Sequence, residues 1–127
     1  MANQERSSMT NADPVQLPDT HTLEREPTLS EMVRRLVQAF QPERVYLFGS
    51  KARGDAGPDS DYDLMVLVAE TSEPGYRLGQ RAHSLLWDTR TAADVLVWTT
   101  ERFDSRLHLQ ASLPATIMCE GRLLYAA

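Results

Sequence analysis

Three features of the sequence bring together residue types that do chemistry: Gly49-Ser50, Asp61-Tyr62-Asp63 and Asp94. In a strand, residues i and i+2 share a face, so Asp61 and Asp63 project to one side with Cα atoms about 6 to 7 Å apart. If the strand opening at Asp94 lies beside them, at about 4.8 Å, a third carboxylate joins the pair. Such a group repels itself: at about 5 Å and an effective dielectric near 20, each pair costs roughly 3 kcal/mol. Protonation or divalent cations must offset that charge, and all-oxygen donors suit Mg²⁺ or Mn²⁺. Two ions about 3.5 to 4 Å apart, bridged by shared carboxylates, stabilise the attacking and leaving oxygens of an in-line phosphoryl displacement.

The glycine and serine fit the same chemistry. Gly49 lets a backbone approach a ligand closely, and Ser50 offers a hydroxyl and backbone N–H groups to phosphate oxygens. Lys51 and Arg53 lie within one turn, and Arg53 has the fork for a bidentate phosphate contact. The spacing is neither that of a Walker loop nor that of a dinucleotide fingerprint.

Positioning these groups requires strands and helices around them. Leu29, Met32, Val33, Leu36, Val37 and Phe40 recur at helical spacing, which predicts an amphipathic helix ending near Pro42, with Thr28-Leu29-Ser30-Glu31 spaced as a capping box. Val45 to Phe48 reads as a buried strand stopped by Gly49, and the segment to Asp61 as a short helical turn and a loop. Tyr62 to Ala69 is a strand covered on both faces. A helix follows Pro74, with Leu78, Ala82, Leu85 and Leu86 on one face despite Gly75 and Gly79. Asp94 to Trp98 is the third strand. Further helices run from Thr99 or Thr100 to about Leu107 and from Pro114 to Gly121, before a short apolar run, Leu123 to Tyr125. Strands alternating with helices predict an α/β (α+β) domain, a small mixed sheet flanked by helices. Residues 1–27 lack a periodic apolar pattern and read as a disordered tail, with the domain spanning 28–127.

Composition narrows the function. The 127 residues suffice for one core, and 42% hydrophobic with 24% charged residues excludes wholesale disorder. Thirteen basic against eighteen acidic residues, with no basic block, disfavour nucleic acid as a partner. No apolar run is long enough to cross a bilayer, and no leader pattern opens the chain, so a cytoplasmic location is expected and no membrane association. Cys119 is a lone thiol without an evident base partner, and His21, His83 and His108 lack metal-ligand spacing. Trp87 and Trp98 read as packing residues, either of which could border a nucleotide base.

Gly49-Ser50, ten residues, then Asp61-Tyr62-Asp63 resembles the GS-x10-DxD signature of the nucleotidyltransferase superfamily that includes DNA polymerase beta. The stretches Leu47 to Asp55 and Asp59 to Val66 resemble its minimal nucleotidyltransferase (MNT) branch. The resemblance implies the polymerase beta-like fold, with Asp61 and Asp63 binding two Mg²⁺ ions (or Mn²⁺) and Asp94 as third carboxylate and base. It also implies Gly49 and Ser50 on the phosphates of ATP, and Arg53 at a basic position usual in the branch. It further implies an antitoxin that silences a HEPN-domain toxin by moving AMP from ATP to a tyrosine. Because the catalytic core uses up the chain, the acceptor is expected on another protein. Two alternatives remain open: an aminoglycoside-type small-molecule nucleotidyltransferase, acting across a homo-oligomer, and a toxin-binding module without catalysis.

Overall fold

The computed structural model describes residues 17–57 and 60–127. Its strands are β1 (Arg44–Phe48), β2 (Tyr62–Val68), β3 (Ala93–Thr99) and β4 (Arg122–Ala126). They form one sheet in the order β3-β2-β1-β4. β1 is antiparallel to both β2 and β4, whereas β2 and β3 run parallel. The mixed α/β architecture read from the sequence is therefore the one observed.

Alternation along the strands divides the core between the two faces of the sheet. Val45, Leu47, Leu64, Val66, Val95 and Val97 pack with the apolar stripes of α2 (Pro27–Phe40) and α4 (Gly75–Leu86). Tyr46, Met65 and Leu67 face the other way, toward Phe103 of α5 (Thr100–Asp104) and Ile117 of α6 (Leu113–Glu120). The first face is covered by two helices of 14 and 12 residues, the second by helices of 5 and 8. Cover on the second face is thus shorter, and the strand heads that carry the acidic residues lie at its end.

The parallel pairing of β2 with β3 needs a crossover, and α4 supplies it. Gly75 and Gly79, which only weaken a helix by propensity, have a packing role here. A Cβ on Gly75 would lie 3.2 Å from the Val97 carbonyl oxygen, and one on Gly79 would lie 3.4 Å from that of Val95. The bare Cα of Gly75 lets α4 rest on the β3 backbone, while at Gly79 there is room for a methyl but for little more.

At the N-terminal side the structure departs from the sequence reading. A helix, α1 (Thr20–Arg25), occupies part of the segment read as tail. Its cap is Asp19, whose carboxylate accepts from the Thr22 N–H at 3.1 Å and the Thr22 hydroxyl at 2.8 Å. Arg122 donates to the same carboxylate at 3.0 Å, and the Asp19 N–H donates to the Leu123 carbonyl at 2.7 Å, tying α1 to β4. Polar capping and a long-range tie, rather than an apolar stripe, hold this helix, so periodicity could not reveal it. Residues 1–16 of the expected tail lie outside the described residues. The capping box at Thr28 is not used either: α2 starts on Pro27, whose fixed φ suits a first turn. Elsewhere α5 stops at Asp104, short of Leu107, and α6 starts one residue before Pro114, capped by Ser112.

The α4 contact leads to a test. Gly79→Leu should lower the unfolding free energy by about 1 to 3 kcal/mol through overpacking. Gly79→Ala should cost nothing, since its methyl meets the strand at ordinary contact distance. Urea unfolding distinguishes the two, and equal losses would count against close approach as the reason for the glycine.

Candidate active site

The site is built where β1 ends. Phe48 is extended, Gly49 turns with φ +73°, and the chain enters the short helix α3 (Gly49–Arg53), which Gly54 closes with φ +85°. The Ser50 carbonyl accepts from the N–H groups of Gly54 and Asp55 at 3.0 and 3.2 Å, fixing that turn. Positive φ makes Gly49 the natural residue here. Space adds to this, because an added Cβ would lie 2.2 Å from Oδ2 of Asp63, whose carboxylate would have to turn away. The carboxylate of Asp63 thus rests against the bare Cα of Gly49.

Sheet register supplies the rest. Phe48 pairs with Asp63 across the antiparallel ladder, and Asp63 pairs with Asp94 across the parallel one. Both aspartates alternate with core residues of the first face, so they share the second face with Met65 and Leu96. Asp61 lies two residues ahead of Asp63 and is exposed, as is Asp94; Asp63 is half-buried. Tyr62 points to the opposite face, where its hydroxyl donates to Glu26 at 2.5 Å. Burial, with Glu26 adding to it, pushes the Tyr62 pKa up to about 12.

Charge follows this geometry. Burial raises the pKa of Asp63 above the ordinary carboxylate value, and the charges of Asp94 and Asp61 raise it further, while Arg53 opposes them. The register thus brings Asp63 and Asp94 together and leaves Asp61 close enough for its charge to be felt. Among the described residues, no three His, Cys, Asp or Glu side chains are gathered tightly enough to enclose a cation. Mutual repulsion of like charges opposes such closure. The donor set still fits a hard divalent ion, being all carboxylate oxygen, with one member half-buried among its own charge.

The basic residues stand differently from expectation. Arg53 is exposed and engaged with acids of its own neighbourhood, Asp55 at 3.2 Å and Glu120 at 3.6 Å. A phosphate contact would require it to leave them. Lys51 lies over the Tyr62 ring, 4.7 Å from its centroid. A cleft of about 540 Å³ flanks Asp94, lined by Gln80, His83 and Ala93 among others. Trp98 packs against the second-face core with Arg102 over its ring, but Trp87 is 75% exposed and is no packing residue.

The family model for a nucleotidyltransferase domain matches residues 29–116, from the start of α2 into α6 and across every element of this site. The chain belongs to the nucleotidyltransferase-domain family. No curated protein matches it. Among solved structures, this nucleotidyltransferase is similar to a toxin–antitoxin structure with AMP-PNP, at 24% identity and a TM-score of 0.49, over 76% of this chain and 73% of the other. It is similar also to the toxin–antitoxin MntA-HepT, at 21% identity and a TM-score of 0.48, over 80% of this chain and 72% of the other. Among the described residues of this nucleotidyltransferase, no helix is long and apolar enough to cross a membrane.

Two measurements probe the site. Gly49→Ala must relieve both positive φ and the overlap with Asp63, so it should cost at least about 1 to 3 kcal/mol in urea unfolding. Asp63 has a raised folded-state pKa, so its contribution to stability is full below the unfolded carboxylate value and is lost as pH rises through the folded one. In the presence of a chelator, Asp63→Asn should therefore melt at a higher temperature than the parent at pH 7. The gap should close below about pH 4, where the free carboxylate protonates. A lower melting temperature for Asp63→Asn at pH 7 would contradict this electrostatic account.

Proposed function

We propose that this nucleotidyltransferase passes AMP from ATP to a hydroxyl on another protein in the cytoplasm, a tyrosine of a HEPN-type toxin, and so acts as that toxin's antitoxin. The observation that carries the reading is the juxtaposition of Asp63 with Asp94 across parallel strands, with Asp63 seated against Gly49. Two carboxylates paired across parallel strands, with the charge of Asp61 felt beside them and a glycine–serine turn adjacent, suit phosphoryl transfer better than most other reactions. The tyrosine acceptor and the HEPN partner rest on the sequence resemblance to the minimal nucleotidyltransferase branch.

In this reading Asp61, Asp63 and Asp94 would hold two Mg²⁺ ions, which when bound screen the triphosphate and favour its in-line displacement. Gly49 and Ser50 orient the phosphates: the backbone comes close because no Cβ intervenes, and the Ser50 hydroxyl donates to a phosphate oxygen. Asp94 accepts the proton of the incoming hydroxyl. The hydroxyl oxygen forms a bond to the α-phosphorus, the bond from that phosphorus to the bridging oxygen of the β-phosphate breaks, and pyrophosphate leaves with the electron pair. Arg53 joins the phosphates by giving up Asp55 and Glu120.

ATP radiolabelled at its α-phosphate, incubated with this chain, Mg²⁺ and a HEPN-domain protein, tests the proposal. Label should move to the HEPN protein, and Asp61→Asn combined with Asp63→Asn should abolish transfer while urea unfolding shows an intact fold. Undiminished transfer by that variant refutes the site. Label on an aminoglycoside with no second protein present would replace the protein acceptor by a small alcohol.

A further inference from the structure

The glycine–serine turn is carried by a helix whose flanks cannot fix it. α3 has five residues, and a glycine with positive φ stands at each end, Gly49 at +73° and Gly54 at +85°. So short a helix has little stability of its own, and glycine leaves the backbone its widest freedom. The direction in which α3 presents Ser50 must therefore come from contacts with the rest of the domain. On the core side the Ala52 side chain is buried, and Lys51 lies over the Tyr62 ring. Arg53 reaches Asp55 and Glu120, partners it gives up in the proposed contact with phosphate.

A further tie comes from β4. The Ala52 carbonyl is among the last four of the helix, which have no intrahelical partner. Arg122 supplies one: its Nε donates to that oxygen at 3.2 Å, while Nη1 of the same guanidinium donates to Asp19 at 3.0 Å. One rigid fork thus joins α3 to the residue that caps α1. Each end of this relay is fixed independently. Arg122 is the ladder partner of Leu47, which leads through Phe48 into Gly49, and a Cβ on the preceding Gly121 would come within 2.9 Å of the Leu47 carbonyl oxygen. Asp19 accepts from Thr22, and its N–H donates to the Leu123 carbonyl. With Arg122 44% and Asp19 24% exposed, the ion pair adds little to stability. Its value is directional.

We propose that Arg122 is a positioning residue for the transfer reaction: anchored by Asp19, it holds α3 by the Ala52 carbonyl and so sets the attitude of Gly49 and Ser50 toward the triphosphate. This rests on the reading that the turn orients phosphates. It assigns a role to two residues that lie outside the stretch common to the family, residues 29–116. Arg122 grips backbone rather than a side chain, so its hold persists when the phosphates draw Arg53 away from Glu120. By the same relay α1 becomes part of the frame of the site. A change at Asp19 reaches Ser50 through one side chain.

Amide hydrogen exchange and phosphate binding by the full chain test the assignment. Arg122→Met keeps the apolar stem and removes the fork. It should speed exchange of the Gly54 and Asp55 N–H groups, which bond to the Ser50 carbonyl, and leave the β2 amides at the parent rate. In Mg²⁺ it should weaken calorimetric binding of inorganic tripolyphosphate and of ATP by the same factor, about tenfold, with the urea midpoint unchanged. Arg122→Lys keeps the charge without the fork and should behave as Arg122→Met does. Asp19→Asn turns an amide N–H₂ toward Arg122 while keeping an oxygen for Thr22. It should reproduce these changes in part and add nothing in the Arg122→Met background. Parent-like exchange at Gly54 and Asp55, or parent-like tripolyphosphate binding, in Arg122→Met overturns the inference. Full recovery by Arg122→Lys does so too, because the effect would then be one of charge alone. Faster exchange spread evenly over the sheet, with a lowered urea midpoint, would make Arg122 a structural residue only and overturn it as well. A parent that binds neither tripolyphosphate nor ATP sinks the phosphate reading of the turn and this inference with it. Where the parent binds both, failure in the variants counts against the inference alone.

Discussion

Like charges held next to one another by sheet register are the constraint on which the rest of this structure depends. Asp63 and Asp94 are ladder partners, and the charge of Asp61 is felt at Asp63. Solvent around Asp61 and Asp94 screens that repulsion, and its trace falls on Asp63, whose pKa is raised by burial and by these charges. The strand that bears the cost follows at once with Leu64, Met65, Val66 and Leu67, all 0% exposed. Burying each side chain of that kind is worth roughly 1.5 to 3 kcal/mol. The apolar run after Asp63 therefore holds the acidic strand head in its register.

The elements that make up this arrangement are legible to different degrees. β2 and α2 announce themselves, because an unbroken apolar run and a 3.6-residue stripe each have one structural solution. The Asp61-Tyr62-Asp63 alternation places two acids on one side from local geometry alone. The pairing with Asp94 is nonlocal, and nothing near Asp94 in the chain states which strand it joins; only the strand–helix–strand alternation suggests a parallel neighbour. β4 is more remote still, since it crosses to the far side of β1. Polar ties are harder to read than apolar ones. α1 depends on Asp19, Thr22 and Arg122, residues that look like loop chemistry when read singly.

The basic and aromatic residues show a second limit. Arg53 has the right position one turn into α3, but position does not reveal that Asp55 and Glu120 compete for its guanidinium. Its availability to a phosphate depends on two acids, one of them 67 residues away in the sequence, at the C-terminal end of α6. Trp87 illustrates the converse. A tryptophan at the end of an amphipathic helix reads as core, and only the burial pattern of α4, with Leu78, Ala82 and Leu86 turned inward, leaves it facing solvent. The sequence signal that separates the two cases is phase: Trp87 falls off the stripe by one residue.

Division of labour between the two faces of the sheet explains why so small a chain can hold both a core and a charged centre. The face bearing α2 and α4 carries most of the apolar contact and fixes the strands, while the face bearing α5 and α6 is covered by shorter helices. Carboxylates placed under a long helix would be stripped of water and driven to protonate, losing the charge that gives them a use. Placed at the end of the thinly covered face, Asp61 and Asp94 stay exposed and only Asp63 is partly withdrawn from solvent. That graded exposure couples the site to the fold through one residue. Withdrawing Asp63 into the angle between Gly49 and β3 raises its pKa and costs stability, but it also fixes one carboxylate rigidly against the backbone that turns into α3. Asp61 and Asp94, both exposed, keep a freedom of movement that half-buried Asp63 gives up.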